Sequence, residues 1–132
     1  MAVKSEEAEV EAAAVALLDA FAANDLKRYF GSFLPEASFI FPIVDHVMQS
    51  PAEYAAEWQR WVAEDDFKVT ECLSFDRQIQ VHGDVAIFSH RTITRSTGNS
   101  GERTLHERET IIFKKIDGVW KAAHEHVSPL VE

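Results

Sequence analysis

Cysteine is nearly absent from this chain of 132 residues, which contains only Cys72. A single cysteine excludes an internal disulfide and a zinc site built from several thiolates, and it suits a reducing compartment. No apolar run approaches the roughly 20 residues that a transmembrane helix needs. The first residues are acidic, whereas a signal peptide begins with basic residues. We therefore expect a soluble, cytoplasmic protein that does not bind membranes.

Positive charge is also scarce, because 13 Lys and Arg residues stand against 22 Asp and Glu, for a formal net charge of −9. The basic residues are scattered, and such a chain would repel phosphate backbones and anionic lipid, so we expect no nucleic-acid partner. Apolar residues are plentiful at 46%, with nine Phe and three Trp. That content suffices for one core in a chain of this length, so we predict a single domain over residues 1–132.

Helical periodicity dominates the first half of the chain. Apolar residues recur at intervals of three or four over residues 5–23, and "ANDLKRYF" predicts a short second helix capped by Asn24 or Asp25. A third helix begins at "SPAEYAAEW", where Ser50 and Glu53 have the spacing of a capping box. The stretch "EASFIFP" between the second and third helices is aromatic and apolar, which predicts a short strand.

The sequence period changes from helical to alternating after Asp66. Residues 67–81 alternate between apolar and polar, with interruptions that predict a long strand bent near its middle. The turns "HGD", "GNSG" and "DG" separate three further strands, which together make an antiparallel meander. This order predicts an α+β fold, a cone-shaped, curved antiparallel sheet with the three helices of the N-terminal half packed over its concave face. A cone that is open at one end suits small-molecule binding.

Three short motifs near the end of the chain carry a resemblance to a known family. They are the Arg108, Glu109, Thr110 triplet, "DGVW" at 117–120 and "HEHVS" at 124–128. With the order of elements, they make the chain similar to the SnoaL-like members of the nuclear transport factor 2-like superfamily. Relatives in that superfamily include the ketosteroid isomerases and the association domain of calmodulin-dependent kinase II. The resemblance implies the cone fold but no single activity, because this fold carries enzymes, binding proteins and assembly modules.

The resemblance to ketosteroid isomerases does not extend to their catalytic residues. In that family an aspartate before a proline is the base, and a tyrosine in the first helix contributes to the oxyanion hole. At the matching positions this chain has Phe41, which precedes Pro42, and Leu17. Neither side chain transfers a proton, so the resemblance implies a more apolar pocket here. We expect Phe41 to line it, and Trp58 of the third helix either packs in the core or contacts a ligand.

Polar residues of the predicted strands supply the candidate chemistry. If the histidine-bearing faces align, one polar cluster forms from His90, Arg108, Thr110, His124 and His126. Arg108 would then bind a ligand carboxylate, and His126 or His124 would serve as general acid or base near neutral pH.

The opposite arrangement of the strands stays open, because one bulge reverses which face looks inward. In that arrangement the two histidines of "HEH" lie in a dimer interface or bond within the sheet, and Glu125, Glu109 and Arg91 line the cavity. A His-x-His pair supplies only two zinc ligands and no third is evident, so we expect no metal. The sequence has no Walker loop, dinucleotide fingerprint or nucleophile elbow, so we also expect no cofactor.

We predict that the protein binds a small, partly apolar ligand, such as a carboxylate, and forms a homodimer through the exposed face of its sheet. One alternative is a cofactor-free isomerase, cyclase or lyase that uses a pocket histidine. A second alternative is a non-catalytic assembly module. The enzyme alternative requires a histidine or carboxylate in the cavity that has a shifted pKa and lies within about 3 Å of a second polar group.

Overall fold

A computed structural model describes residues 5–130 of the chain. The elements follow the predicted order: α1 (Glu6–Ala22), α2 (Leu26–Gly31), β1 (Phe33–Ile40), α3 (Pro51–Asp65), β2 (Lys68–His82), β3 (Val85–Gly98), β4 (Gly101–Ile116) and β5 (Val119–Pro129). They form one sheet in the order β1-β5-β4-β3-β2, with the helices over one face. The predicted α+β fold is confirmed, and none of the helices within residues 5–130 has the length and hydropathy to cross a membrane.

The predicted meander comprises β2 to β5, which pair antiparallel with their neighbours. The first strand joins differently, because β1 lies parallel to β5. A parallel pair needs a long crossover connection, and the chain between β1 and β5 provides one that contains α3 and the rest of the meander. The sheet therefore ends in β1 on one edge and β2 on the other.

Side-chain caps define where the helices begin. Asp25 caps α2 by accepting a hydrogen bond from the Arg28 N–H at 3.3 Å. Ser50 caps α3 by accepting one from the Glu53 N–H at 3.1 Å. The Glu53 carboxylate in turn accepts from the Gln49 N–H at 2.9 Å, one residue before the cap. The capping signals in the sequence are therefore used, with Asp25 rather than Asn24 as the cap of α2.

Asn24 instead ties the junction of α1 and α2 to the sheet. Its backbone is left-handed, with φ of 55°. Its side-chain amide donates to the Val69 carbonyl at 2.6 Å and accepts from the Val69 N–H at 3.0 Å. The amide thus pairs with β2 as a neighbouring strand would. This contact fixes the end of α1 against the start of β2.

Bulges reverse the inward face twice along β2. Val69 is buried, but the register shifts before Glu71, and Cys72 then faces the core. The register shifts again between Phe75 and Gln78, where Asp76 adopts a φ of 52°. This second irregularity is the predicted bend near the middle of the strand. Each bulge adds one residue to β2, so alternation along the sequence does not report a single face.

A further bulge in β5 decides which residues face the helices. Phe113 pairs with Ala122 and Ile112 pairs with His124, so Ala123 is the extra residue. Trp120 and Ala122 are buried before the bulge, and Glu125 is buried after it. Strict alternation along β5 would place Trp120 and Ala122 on the same face as His124 and His126, but the bulge shifts the parity between them and puts them on opposite faces.

Aromatic rings fill the space between the helices and the sheet. Tyr29 of α2 contacts Trp58 of α3 and Phe33 of β1, with ring centroids 5.9 Å and 5.3 Å apart. Tyr54 packs edge to face on Phe30 at 5.1 Å. Such tilted and edge-on pairs each add to the stabilisation that burial provides. The two tyrosines are both buried, so their hydroxyl groups require partners inside the protein.

We predict that Asn24→Ala lowers the free energy of unfolding by about 2 to 3 kcal/mol, because it removes two hydrogen bonds and strains a left-handed backbone. Asn24→Gly is the matched control, since it loses the same hydrogen bonds but tolerates the positive φ. The glycine variant should therefore recover about 1 kcal/mol of that loss. Urea unfolding measures both, and an alanine variant as stable as wild type would contradict the prediction.

Candidate functional site

A cavity of about 140 Å³ lies between the helices and the inner face of the sheet. Its helix side and the loop after β1 are apolar and aromatic: Leu17, Leu18, Phe21, Tyr29, Phe41, Pro42, Ile43, Tyr54, Trp58 and Trp61. The sheet side, with the residue before β2, contributes most of the polar groups: Phe67, Cys72, Thr92, Thr94, Ser96, Leu105, Glu107, Glu109, Glu125 and Val127. An apolar cavity of about 150 Å³ holds a benzene ring, so a small molecule fits here.

Two carboxyl groups lie side by side in this cavity. Glu109 of β4 is 8% exposed and Glu125 of β5 is 4% exposed. They are diagonal neighbours on adjacent strands of the inner face. Glu109 pairs with Val127 and Ile111 pairs with Glu125, so the two glutamates are offset by two residues. Carboxylates are rarely buried this deeply unless polar groups satisfy them.

A tyrosine hydroxyl provides a hydrogen-bond partner for Glu125. The Tyr29 hydroxyl donates to Glu125 Oε2 at 3.3 Å and lies 3.0 Å from the Tyr54 hydroxyl. Burial, followed by the charge of Glu125, raises the pKa of both tyrosines well above the usual value. Both phenols therefore stay neutral and remain hydrogen-bond donors at the wall of the cavity.

A histidine provides a hydrogen-bond partner for Glu109. His90 of β3 has a fully buried side chain, and its Nε2 lies 2.7 Å from Glu109 Oε1. Its Nδ1 lies 2.6 Å from the Ser74 hydroxyl, which accepts a hydrogen bond from Arg77 Nε at 3.0 Å. The network is complete when Ser74 donates to Nδ1 and the Nε2–H donates to Glu109. A continuous hydrogen-bonded chain thus leads from Glu109 to the edge strand β2.

The two carboxyls have opposite pKa shifts. Burial raises the pKa of Glu125 well above the usual value, and the negative charge of Glu109 raises it further. Burial also acts to raise the pKa of Glu109, but hydrogen bonds from Glu125 and His90 outweigh it and lower the pKa. Two adjacent carboxyls share one proton in this way because both cannot ionise cheaply. At neutral pH Glu125 holds the proton and Glu109 carries the charge.

Glu107 adds a third carboxyl nearer the opening of the cavity. Burial, together with the charge of Glu109, raises its pKa from 4.5 to about 7. Among residues 5–130 its carboxyl makes no hydrogen bond or ion pair. Alternate residues of a strand are about 6.6 Å apart, so Glu107 lies one step along β4 from Glu109 on the same face. The sheet side of the cavity therefore carries three carboxyl groups among its polar residues.

This arrangement has the components of general acid–base chemistry. Glu109 is a carboxylate that can accept a proton, and Glu125 is a carboxylic acid that can donate one. Tyr29 and Tyr54 are neutral donors beside them. Separating the pKa values of two neighbouring groups assigns one the role of base and the other the role of acid.

The predicted ligand-binding residues divide between the two faces of the sheet. Phe41 and Trp58 line the cavity. His90 lies on the inner face, where it contacts Glu109. Arg108 and Thr110 lie on the outer face, because they alternate with Glu107 and Glu109 along β4. The structure therefore does not bring His90 together with the other members of the predicted polar cluster.

The two candidate catalytic histidines also lie on the outer face. His126 is exposed and pairs in register with Thr110. His124 Nδ1 lies 2.8 Å from the Ser38 hydroxyl of β1. Burial and the nearby charge of His126 lower the pKa of His124. The arrangement matches the alternative in which these histidines bond within the sheet while Glu109 and Glu125 face the cavity.

Three residues of the site were not identified from the sequence. Glu107 is hard to identify from the sequence because acidic residues in a strand usually face solvent. Tyr29 and Tyr54 are hard to identify because tyrosine in an amphipathic helix usually packs in the core. Arg91, which the alternative arrangement of the strands placed in the cavity, is exposed on the outer face beside Asp76. One available signal was that Glu107 and Glu109 continue the buried face of Ile111.

Within the part of the chain from Ser5 to Leu130, no group of three or more His, Cys, Asp or Glu side chains is arranged to hold a metal ion. Cys72 lines the cavity, and burial raises the pKa of its thiol to about 12. A thiol with that pKa stays protonated, so Cys72 is a small wall residue rather than a nucleophile.

Comparison with known proteins gives one family match. The family model of the SnoaL-like domain matches residues 10–132, which includes all of the cavity. No curated protein matches the chain at a significant level.

Several solved structures share the fold. A ketosteroid isomerase-like protein from Erwinia carotovora atroseptica superimposes with a TM-score of 0.81 at 20% identity, covering 98% of this chain and 100% of that one. The CaMKII hub of S. rosetta gives 0.79 at 20% identity, with the same coverage of both chains. A candidate dehydratase of the NTF2-like family from Streptomyces avermitilis gives 0.76 at 16% identity, covering 96% and 97%. At these identities the likeness shows the fold alone.

We predict that Glu107→Gln stabilises the protein more at pH 8 than at pH 5. The folded-state pKa of Glu107 is raised to about 7, so the stability associated with its protonated form is lost as the pH rises from about 4.5 through 7. Glutamine cannot ionise and avoids that loss. After allowance for solvent access at the opening, we expect a gain of about 1 kcal/mol at pH 8.

The matched control is Glu102→Gln, an exposed glutamate on the same strand. Thermal unfolding at the two pH values measures both variants against wild type. If the difference in unfolding temperature between Glu107→Gln and wild type is the same at pH 5 and pH 8, the prediction is contradicted.

Proposed function

We propose that this chain, which belongs to the family of SnoaL-like domains, binds a small, largely apolar molecule and catalyses proton transfer on it. The observation that carries the proposal is the buried pair of Glu109 and Glu125 in the wall of an aromatic cavity. The reaction class is a cofactor-free isomerisation or elimination. The protein's own carboxyls supply both the base and the acid.

The chemistry follows from the protonation of the pair. Glu109 removes a proton from the carbon between a substrate carbonyl and a carbon–carbon double bond, while Glu125 donates its proton to the carbonyl oxygen, and a dienol forms. Glu109 then returns its proton to the far carbon of that double bond as the enol proton goes back to Glu125, so the double bond moves next to the carbonyl. In an elimination, Glu125 instead protonates a leaving hydroxyl, which departs as water. Acid and base groups placed in this way contribute about 10²- to 10⁴-fold each.

Neighbouring groups support these roles. His90 holds the Glu109 carboxylate at 2.7 Å and so fixes its orientation. Tyr29 donates to Glu125 Oε2 at 3.3 Å and so holds that carboxyl in place. These carboxyls support the proposal, whereas His124 and His126 lie on the outer face of the sheet. The solved structures described as ketosteroid isomerase-like and as a candidate dehydratase share this fold, which makes both reaction classes reasonable.

We predict that the wild-type protein accelerates deuterium incorporation into small ketones in D₂O. A panel of cyclic and aromatic ketones, with and without an amino group, replaces the unknown substrate, and mass spectrometry measures exchange at the carbon beside the carbonyl. Glu109→Gln should lower the rate for any active ketone by about 100-fold or more, because it removes the base. Glu125→Gln should also lower it, because glutamine keeps the shape but not the acid.

Glu102→Gln serves again as the control and should leave the exchange rate unchanged. Retained thermal transitions would show that the glutamine variants fold. Ketones that bind wild type without any exchange above buffer would overturn the proton-transfer role. A protein that binds no member of the panel would overturn the binding role as well.

Self-association through the outer face of the sheet is a second function that we propose. Half-buried Ile40, Ile87 and Ile112 lie on this face beside the exposed His126, and no other element of residues 5–130 covers them. The CaMKII hub and a calcium/calmodulin-dependent protein kinase II association domain share the fold. We infer a homodimer in the cytoplasm whose two sheets face each other.

We predict that Thr110→Arg converts this dimer to a monomer, because it places a long charged side chain at the centre of the outer face. Thr104→Arg is the control, since Thr104 lies on the same face but at the exposed end of β4. Light scattering at micromolar concentration measures the mass of each. A wild-type monomer, or a Thr110→Arg dimer, would contradict the proposed interface.

A further inference from the structure

The charge of the cavity indicates which ligands it accepts. Its wall contains Glu107, Glu109 and Glu125, but no Lys, Arg or His lines it within the described residues. His90 hydrogen-bonds to Glu109 and does not itself line the cavity. The cavity is therefore negative overall, and no cation of the protein faces the ligand.

The basic residues of the neighbouring strands do not change this charge. Arg108 points to the outer face of β4, and Arg95 lies between two cavity residues of β3 and so points outward, where it pairs with Glu71. A ligand carboxylate would consequently meet carboxyl groups and no counter-ion. The ligand carboxylate that the sequence suggested for Arg108 thus has no partner in this cavity.

The aromatic walls add a second, independent preference. Trp58, Trp61 and Phe67 line the cavity together with Tyr29 and Tyr54. The face of an aromatic ring attracts a cation, most strongly for tryptophan, and the attraction grows when water is excluded. An aromatic cavity with a carboxyl at its opening and no basic lining group therefore favours a positively charged ligand over a neutral one of equal shape.

We propose that the ligand of this cavity carries an ammonium group on a small aromatic or aliphatic body. The Glu107 carboxyl, which has no partner among residues 5–130, receives the ammonium, and the aromatic walls hold the apolar body. The end of the ligand away from the ammonium then reaches Glu109 and Glu125. This inference rests on the proposed function and adds the substrate class to it, since it separates the recognition carboxyl from the two reacting ones.

Three probes of matched size test the proposal by calorimetry and thermal shift on the full chain. They are 2-phenylethylammonium, its neutral counterpart 2-phenylethanol and the anion 3-phenylpropanoate. The ammonium should bind at least tenfold more tightly than the alcohol, and the carboxylate should not bind measurably. Glu107→Gln should reduce ammonium affinity at least fivefold and leave alcohol affinity unchanged.

Glu102→Gln is the charge-matched control, because it also removes one negative charge from β4 but from a residue outside the cavity. Equal weakening by both variants would attribute the preference to the net charge of the protein and would overturn the proposal. Binding of the alcohol without preference for the ammonium would overturn the substrate class and leave the proposed function intact. Failure of all three probes to bind would count against the ligand-binding cavity itself.

Discussion

The buried contact between Glu109 and Glu125 is the constraint on which the rest of the site depends. Two carboxyls removed from water cannot both carry a charge cheaply, so one proton stays on the pair and every remaining oxygen needs a partner. Tyr29 and His90 provide those partners from α2 and β3. The helices are therefore positioned against β4 and β5 by specific hydrogen bonds as well as by aromatic packing.

Bulges determine which residues this contact can use. Because Ala123 is an extra residue, both Trp120 and Glu125 face inward although they are five positions apart in sequence. His124 and His126 then lie on the other face. Without this extra residue, continuous alternation from Trp120 would turn both histidines toward the helices and Glu125 toward solvent. The acidic character of the cavity is thus a consequence of backbone geometry at one position of β5.

The elements of the fold were predictable because their signals are local. The Ser50 cap, the "DG" turn and the change of period after Asp66 act within a few residues, and the resemblance to SnoaL-like domains is confirmed. The site was less predictable, because strand parity depends on bulges that arise from pairing with distant residues. The sequence kept both parities open, and only the pairing of β4 with β5 decides between them.

The short stretch from His124 to His126 serves two surfaces at once. Its glutamate faces the cavity, where burial and then the like charge of Glu109 raise its pKa and keep it protonated. Its histidines face outward, one bonded to Ser38 and the other free for contact with a second chain. Because neighbouring strand residues point to opposite faces, substitutions here can change one surface without changing the other. Because this fold carries binding proteins, enzymes and assembly modules, the motif alone selects none of them, and it is the residues that alternate with its histidines that line the cavity.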